Sequence, residues 1–158
     1  MRHAARPWVF LAILVLGDFL ALENWINNFM NVNSESTTPV KDPDLKEFIA
    51  FCRKNLGYKK PAKVLVSDDH AKAVEMKSMA AYFPNPEDNF IWVLRGKRQR
   101  ADWYRSLAHE LVHHAQRERG DQLDGADGSD CENEANGKAG VFLREWGRQH
   151  PEIFEPAT

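Results

Sequence analysis

The apolar and polar positions divide this chain into an apolar opening, a polar bridge and a patterned body. Residues 8–16, Trp8-Val9-Phe10-Leu11-Ala12-Ile13-Leu14-Val15-Leu16, form an unbroken apolar run. Gly17 and Asp18 interrupt it before the apolar residues 19–22. Residues 31–43 are polar, with Ser34, Ser36, Thr37, Thr38 and two prolines, a linker composition. Over residues 44–55, Leu45, Phe48, Ile49 and Cys52 recur at helical spacing. Asp42 or Asp44 can cap that helix and Gly57 can end it. Lys63-Val64-Leu65-Val66-Ser67 predicts a short strand. Residues 68–79 match neither period. Residues 80–83 and 89–94 predict two strands joined by the turn-rich segment 84–88. Two strong helical patterns follow, 102–118 and 131–149, separated by a loop at 120–128. A helix, a few strands and then two helices make an α+β domain with no internal repeat.

Composition narrows this only slightly. The chain has 158 residues, 43% hydrophobic and 28% charged, which suits one globular domain. Its formal charge of −2 gives no overall case for nucleic-acid binding. Cys52 and Cys131 are too few for a disulfide scaffold or a cysteine-ligated zinc finger. Arg2, His3 and Arg6 ahead of the apolar run fit a signal peptide or short anchor, with membrane contact through residues 8–22. A spanning helix, however, needs about 20 apolar residues, and Asp18 sits within this one. An amphipathic helix packed on the domain, or a chain start at Met30, accounts for the same residues. The expected organisation is an N-terminal segment over 1–30, a linker over 31–43 and the folded domain over 44–158.

The chemistry concentrates in His109-Glu110-Leu111-Val112-His113. Residues i and i+4 of a helix differ by about 40° in direction, so His109 and His113 project from one face and can hold one ion. Glu110 lies about 100° away, beside the ion, where a general base takes a proton from metal-bound water. This is the HExxH zincin pattern. Leu107, Ala108, Leu111 and Ala115 lie opposite the histidines, predicting a helix with one buried stripe and one face turned to a cleft. Asp102, Arg105 and Gln116 lie near the histidine face and are candidates to bind substrate or steady the ligands. His114 points elsewhere and reads as a packing or hydrogen-bonding residue.

A catalytic zinc needs a third protein ligand and an open position for water. Glu132 and Glu134 lie 19 and 21 residues beyond His113, and either can return to it. Glu132 shares its side with Ala135, Asn136, Ala139, Phe142, Leu143 and Trp146, the apolar stripe. Glu134 shares its side with Lys138, Val141 and Glu145. A carboxylate on a buried face needs a partner, which favours Glu132 and keeps Glu134 as the alternative. The competing explanation of Glu132 is a capping box with Ser129, its side chain returning to the helix start. Ala135, Ala139 and Gly140 allow the two helices to approach closely. Asn136, one turn beyond Glu132, can orient a ligating histidine.

With a glutamate on the following helix, His109-Glu110-x-x-His113 resembles the gluzincin metallopeptidases. Glu132-Asn133-Glu134-Ala135-Asn136 is similar to the E-x-E-A-[ND] signature of several small or membrane-bound gluzincins. That resemblance implies Glu132 as zinc ligand, with Asn136 supporting the site. The thermolysin pattern N-E-A would select Glu134 and expects Asp where this chain has Lys138. Over about residues 44–155 the chain resembles small metallopeptidase-like proteins of large tailed bacteriophages. The residues carrying that likeness are Ser106-Leu107-Ala108-His109-Glu110-Leu111-Val112-His113-His114-x-Gln116, the glutamate run through Ala139-Gly140, and His150-Pro151-Glu152.

The expectation is therefore a minimal zincin-like α+β domain. It would combine a short antiparallel or mixed sheet, an active-site helix and a second, glutamate-bearing helix. It would hold one zinc per chain and hydrolyse peptide bonds of a peptide or protein substrate, with Glu110 as base. Strand 89–94 is expected to line the cleft and pair with an extended peptide. Arg105 and Tyr82 are the candidate oxyanion donors. The alternative is a metal-bound structural or interaction protein, such as a virion component. Host cytoplasm or virion follows from the phage resemblance, and membrane anchoring or export from a true signal at residues 1–22. Arg95-Gly96-Lys97-Arg98-Gln99-Arg100 reads as a solvated loop rather than a nucleic-acid contact. Asp121, Asp124, Asp127 and Asp130 read as a solvated acidic loop, not an EF-hand.

Overall fold

In this computed structural model the described residues are 42–84 and 89–156. The N-terminal segment and most of the linker lie outside them. The elements are α1 (Leu45–Leu56), β1 (Lys63–Ser67), α2 (His70–Met76), β2 (Ala80–Phe83), β3 (Phe90–Leu94), α3 (Arg100–Glu118), α4 (Asp130–Gln149) and a 3-10 turn (Pro151–Phe154). They form a mixed helix and sheet fold. Segment 68–79, which matches neither period, contains α2, seeded by Asp69, whose side chain accepts from the Lys72 N–H at 3.1 Å. No described helix is long and apolar enough to cross a membrane.

The sheet order is β1-β3-β2, with β1 parallel and β2 antiparallel to β3. The run Phe90-Ile91-Trp92-Val93-Leu94 is buried throughout because both faces of this central strand are covered. Ile91 and Val93 face the main core, with Tyr104, Leu107, Leu111 and Phe48. Phe90, Trp92 and Leu94 pack on the opposite face with Ala81, Phe83, Ala73 and Met76. The pairing overturns one expectation: β3 has neighbours on both edges, so it cannot accept a peptide as an added strand. Its backbone hydrogen bonds are already used.

Helix α3 lies between the sheet and α4, with α1 also against it. From Leu107 to Gln116 every residue is buried. The expected open cleft face is therefore absent among the described residues. The reason is layering: α4 covers the side that a two-layer domain would leave to solvent. Ala135 and Ala139, both fully buried, let α4 come close, as their small size predicts. An aromatic cluster closes the far end of the seam. Phe48 of α1 packs 4.6 Å from Tyr104 and 5.5 Å from Trp146, ring centre to ring centre. Helix α1 ends at Gly57, whose φ of +77° gives the left-handed cap that favours glycine.

Neither Asp42 nor Asp44 caps α1 through its side chain as expected. Both turn instead to Arg100 at the start of α3. Arg100 donates to Asp42 through Nε at 2.9 Å and Nη2 at 2.7 Å, and to Asp44 Oδ2 at 2.7 Å. Tyr104 Oη donates to Asp42 Oδ1 at 2.7 Å. Burial opposes ionisation of Asp42, yet the Arg100 and Tyr104 hydrogen bonds outweigh it and hold the carboxyl below its ordinary range. A depressed folded-state value means that this pair stabilises the fold above about pH 4 and that the contribution is lost as pH falls further. Asp42→Asn should cost about 1–2 kcal/mol at neutral pH, moderated by the pair's partial exposure. Urea unfolding at pH 7 and pH 3 should show the variant's deficit shrinking on acidification. A deficit unchanged between the two would refute the assignment.

Candidate metal centre

His109 and His113 stand one turn apart on α3, and Glu132 lies in the first turn of α4. The loop between the helices reverses the chain and brings Glu132 onto the histidines. The two Nε2 atoms are 3.1 Å apart. Glu132 Oε1 is 2.9 Å from His113 Nε2, and Oε2 is 3.2 Å from His109 Nε2. All three residues are buried, at 6%, 3% and 7% exposure for His109, His113 and Glu132. These three residues can hold a metal ion.

The donor geometry supports that statement. Tetrahedral zinc with bonds of about 2.0–2.1 Å has ligand–ligand edges of about 3.3 Å. The Nε2–Nε2 edge of 3.1 Å lies just inside that value, Glu132 meets the two histidines through different oxygens at 2.9 and 3.2 Å, and one ligand atom from each residue lies within 4.8 Å of the others. His113 Nδ1 faces Gln116 Oε1 at 2.8 Å, and Gln116 Nε2 donates to the Cys131 carbonyl at 3.0 Å. Gln116 Oε1 can only accept, so the His113 hydrogen sits on Nδ1 and the Nε2 lone pair turns inward. Glu132 Oε1 is buried without a hydrogen bond, though His113 Nε2 is close. Lone pairs facing one another in a dry site call for a cation between them. Protons otherwise fill that role. Burial opposes charging of His113, but the Glu132 carboxylate facing it, the Gln116 contact and the charge of Glu110 together raise its pKa. Burial likewise opposes ionisation of Glu132, yet both histidines hold its carboxyl far below the usual range.

Glu110 is 1% exposed, next in sequence to His109, and its charge is felt at His113. His114 is structural, as expected: Nε2 donates to the Lys60 carbonyl at 2.6 Å and Nδ1 lies 3.2 Å from the Tyr82 hydroxyl. Burial lowers its pKa, keeping it neutral. Tyr82 is thereby engaged with His114 and with Asn89 at 2.7 Å, away from the histidine pair, which removes it as an oxyanion donor.

Glu134, the alternative ligand, points elsewhere. It accepts from Arg119 Nη2 and from Lys138 Nζ, each at 2.9 Å. Chiefly through Arg119, its pKa is lowered to about 2. The Ser129 reading is half realised. Ser129 Oγ accepts from the Glu132 N–H at 3.2 Å, while the Glu132 side chain reaches the histidines instead of closing a capping box. Asn136 is exposed and orients neither histidine, a correction. Gln116 fills the supporting role. Arg105 is exposed, and its guanidinium lies against Gly140 of α4.

Other candidate features resolve into structure. In the basic run, Arg95 pairs with Asp68, Arg98 donates to the Leu94 carbonyl and Ser106 Oγ, and Arg100 holds Asp42 and Asp44. Cys52 and Cys131 are free thiols. Asp121 pairs with Arg119, and Asp124 accepts from the Ala126 N–H at 2.9 Å. A second group, Asp44, His150 and Glu152, also converges within 4.8 Å. It is unmarked in sequence because its members lie at opposite ends of the domain. Arg100 already neutralises Asp44 there.

Two measurements test this centre. Glu132→Gln should weaken zinc binding by about a hundredfold or more, as expected for a lost ligand. Glu134→Gln removes only an exposed ion pair worth about 0.2–1 kcal/mol and should shift zinc affinity less than about threefold. The Ser129 cap uses the backbone of Glu132, so the metal-free stability of Glu132→Gln should not show a cap loss of about 1 kcal/mol. Competition titrations decide it, and the reverse ranking would transfer the ligand to Glu134. In addition, a histidine must lose its proton to ligate, and His113 binds that proton more tightly than usual. Metal affinity should therefore start falling above about pH 6.5 and decline steadily on acidification. An affinity flat from pH 8 to 6 would contradict the raised pKa.

No protein-family model, curated protein or solved structure matches this chain, so the reading of the site stands on its own geometry.

Proposed function

We propose that this chain is a zinc-dependent hydrolase of peptide bonds, built as a minimal zincin-like domain of the gluzincin type. The observation that carries it is the convergence of two histidine Nε2 atoms and one carboxylate at 2.9–3.2 Å, with a buried glutamate beside them. The resemblance of the sequence to the gluzincins and to phage metallopeptidase-like proteins supports the same reading. Three protein donors leave a fourth position for water.

Zinc bound there supplies Lewis acidity and acidifies a bound water. The chain's residues do the rest. His109, His113 and Glu132 hold the ion, and Gln116 keeps the His113 Nε2 lone pair directed at it. Glu110, buried and next in sequence to His109, is the base in this reading, a role that a purely structural zinc site would not need. It accepts the water's proton and returns it to the leaving amine. One observation favours a second reading, a metal-bound structural or interaction module. The three ligands are nearly inaccessible, which suits a closed structural site.

Glu110→Gln separates the two readings. The side chain is no ligand, so the variant should bind zinc normally while hydrolysis of a mixed peptide library falls by about 10²–10⁴-fold. The parent activity should also vanish on chelation and return with zinc. Parent protein with a full zinc load and no hydrolysis would favour the structural module. Near-parental hydrolysis by Glu110→Gln would remove Glu110 as the base.

A further inference from the structure

One groove on this molecule carries a charge opposite to that of the chain. It has a volume of about 720 Å³ and runs along α4, with Arg105, Arg144 and Arg148 in its wall and no carboxylate among its lining residues. The whole chain has a net charge of −2. Of the six described arginines elsewhere, Arg95, Arg100 and Arg119 each hold a carboxylate and Arg53 and Arg98 donate to carbonyls, while Arg117 stands alone on the surface. Among the described residues, Arg105, Arg144 and Arg148 make no hydrogen bond or ion pair. The floor is formed where side chains are missing, at Gly137, Gly140 and Gly147. Two apolar side chains on the lining, Val141 at 38% and Phe154 at 51%, remain exposed to solvent. Unpaired guanidiniums above an apolar trough suit an elongated ligand that offers carboxylates and some apolar surface.

The place of the groove connects it with the metal centre. Arg105 is one turn before His109 on α3, and Asn136 is one turn after Glu132 on α4. Both line the groove. One helical turn is about 5.4 Å, so its inner end is one turn along both helices from the ligand-bearing positions, while Arg148 is about 24 Å further along α4 than Glu132. That length matches about seven residues of extended chain. The N-terminal segment of this chain does not offer the complementary charge, since in residues 1–30 the acidic Asp18 and Glu23 are balanced by Arg2 and Arg6.

We propose that this groove binds an acidic stretch of polypeptide, its carboxylates paired with Arg105, Arg144 and Arg148 and its apolar side chains on Val141 and Phe154. That stretch is the part of the substrate flanking the scissile bond, an assignment that rests on the hydrolase reading.

The test is binding, which needs no turnover. Zinc-loaded full-length Glu110→Gln is titrated, by fluorescence anisotropy, into labelled ten-residue peptides of the same apolar content that are Glu/Asp-rich, Gln/Asn-rich or Lys-rich. The acidic peptide should bind at least tenfold tighter than the neutral one, and the basic peptide weakest. Adding Arg144→Glu and Arg148→Glu, both on the exposed side of α4, should remove that preference while far-ultraviolet circular dichroism and zinc content stay unchanged. Should the doubly reversed protein lose its helical signal, Arg144→Gln with Arg148→Gln serves instead and should cut the preference severalfold. Equal affinity for acidic and neutral peptides overturns the proposal. So does tighter binding of a single-stranded oligonucleotide of equal charge, which would make the groove a polyanion site. An acidic peptide held by the arginines but never cleaved by the parent protein would leave the groove standing and refute the hydrolase. Cleavage with no charge preference in binding would do the opposite.

Discussion

Taking a carboxylate and two imidazoles out of water in one small volume is costly unless something positive sits among them. In this domain Glu132, His109 and His113 are nearly solvent-free and each pair of them meets at 2.9–3.2 Å. The need for a cation or for shared protons at this point governs the packing around it. It explains why a glutamate is tolerated on the buried side of α4.

The surrounding residues are arranged to keep that point fixed. Gln116 links the His113 ring to the first turn of α4 through the Cys131 carbonyl, so the two ligand-bearing helices are tied where the ligands meet. Ser129 fixes the start of α4 through the Glu132 backbone and leaves the Glu132 side chain for the histidines. His114, one residue on, uses another side of the helix. It ties α3 to β2 and to the segment after α1 through Tyr82 and Lys60. Glu118 strengthens the same joint by accepting from the Lys59 and Lys60 N–H groups at 2.7 and 2.9 Å. Adjacent histidines therefore do unrelated work because a helix turns about 100° between them.

The electrostatics are divided along the same seam. Cationic side chains near the ends of the helices are mostly matched with carboxylates, as in Arg100 with Asp42 and Asp44, or Arg119 with Asp121 and Glu134. Three arginines without a carboxylate partner, Arg105, Arg144 and Arg148, meet in the groove along α4. Local charge there is set by which side chains tertiary packing leaves unpaired, and a net charge of −2 does not reveal it.

Most elements, and the three residues that converge at the candidate metal centre, are legible in the amino-acid pattern alone. Helical spacing places His109 and His113 together whatever surrounds them, because local geometry decides it. Glu132 is separated from Glu134 by the apolar stripe of α4, and Lys138 marks Glu134 as a surface residue. The features that pattern misplaces depend on neighbours distant along the chain. The polar face of α3 reads as the wall of a cleft, but α4 covers it. Strand β3 reads as an edge open to a peptide, but parallel β1 takes the side that a simple hairpin would leave free. Asn136 and Gln116 are equal candidates to steady a histidine until the rotation of α4 moves one outward and the end of α3 places the other against Cys131. Which residues share a helix face needs only the pitch of the helix, and so it can be read from the order of amino acids. Which of those faces are covered, and which charges stay unpaired, depends on layers brought together across tens of residues, and only the folded chain answers it.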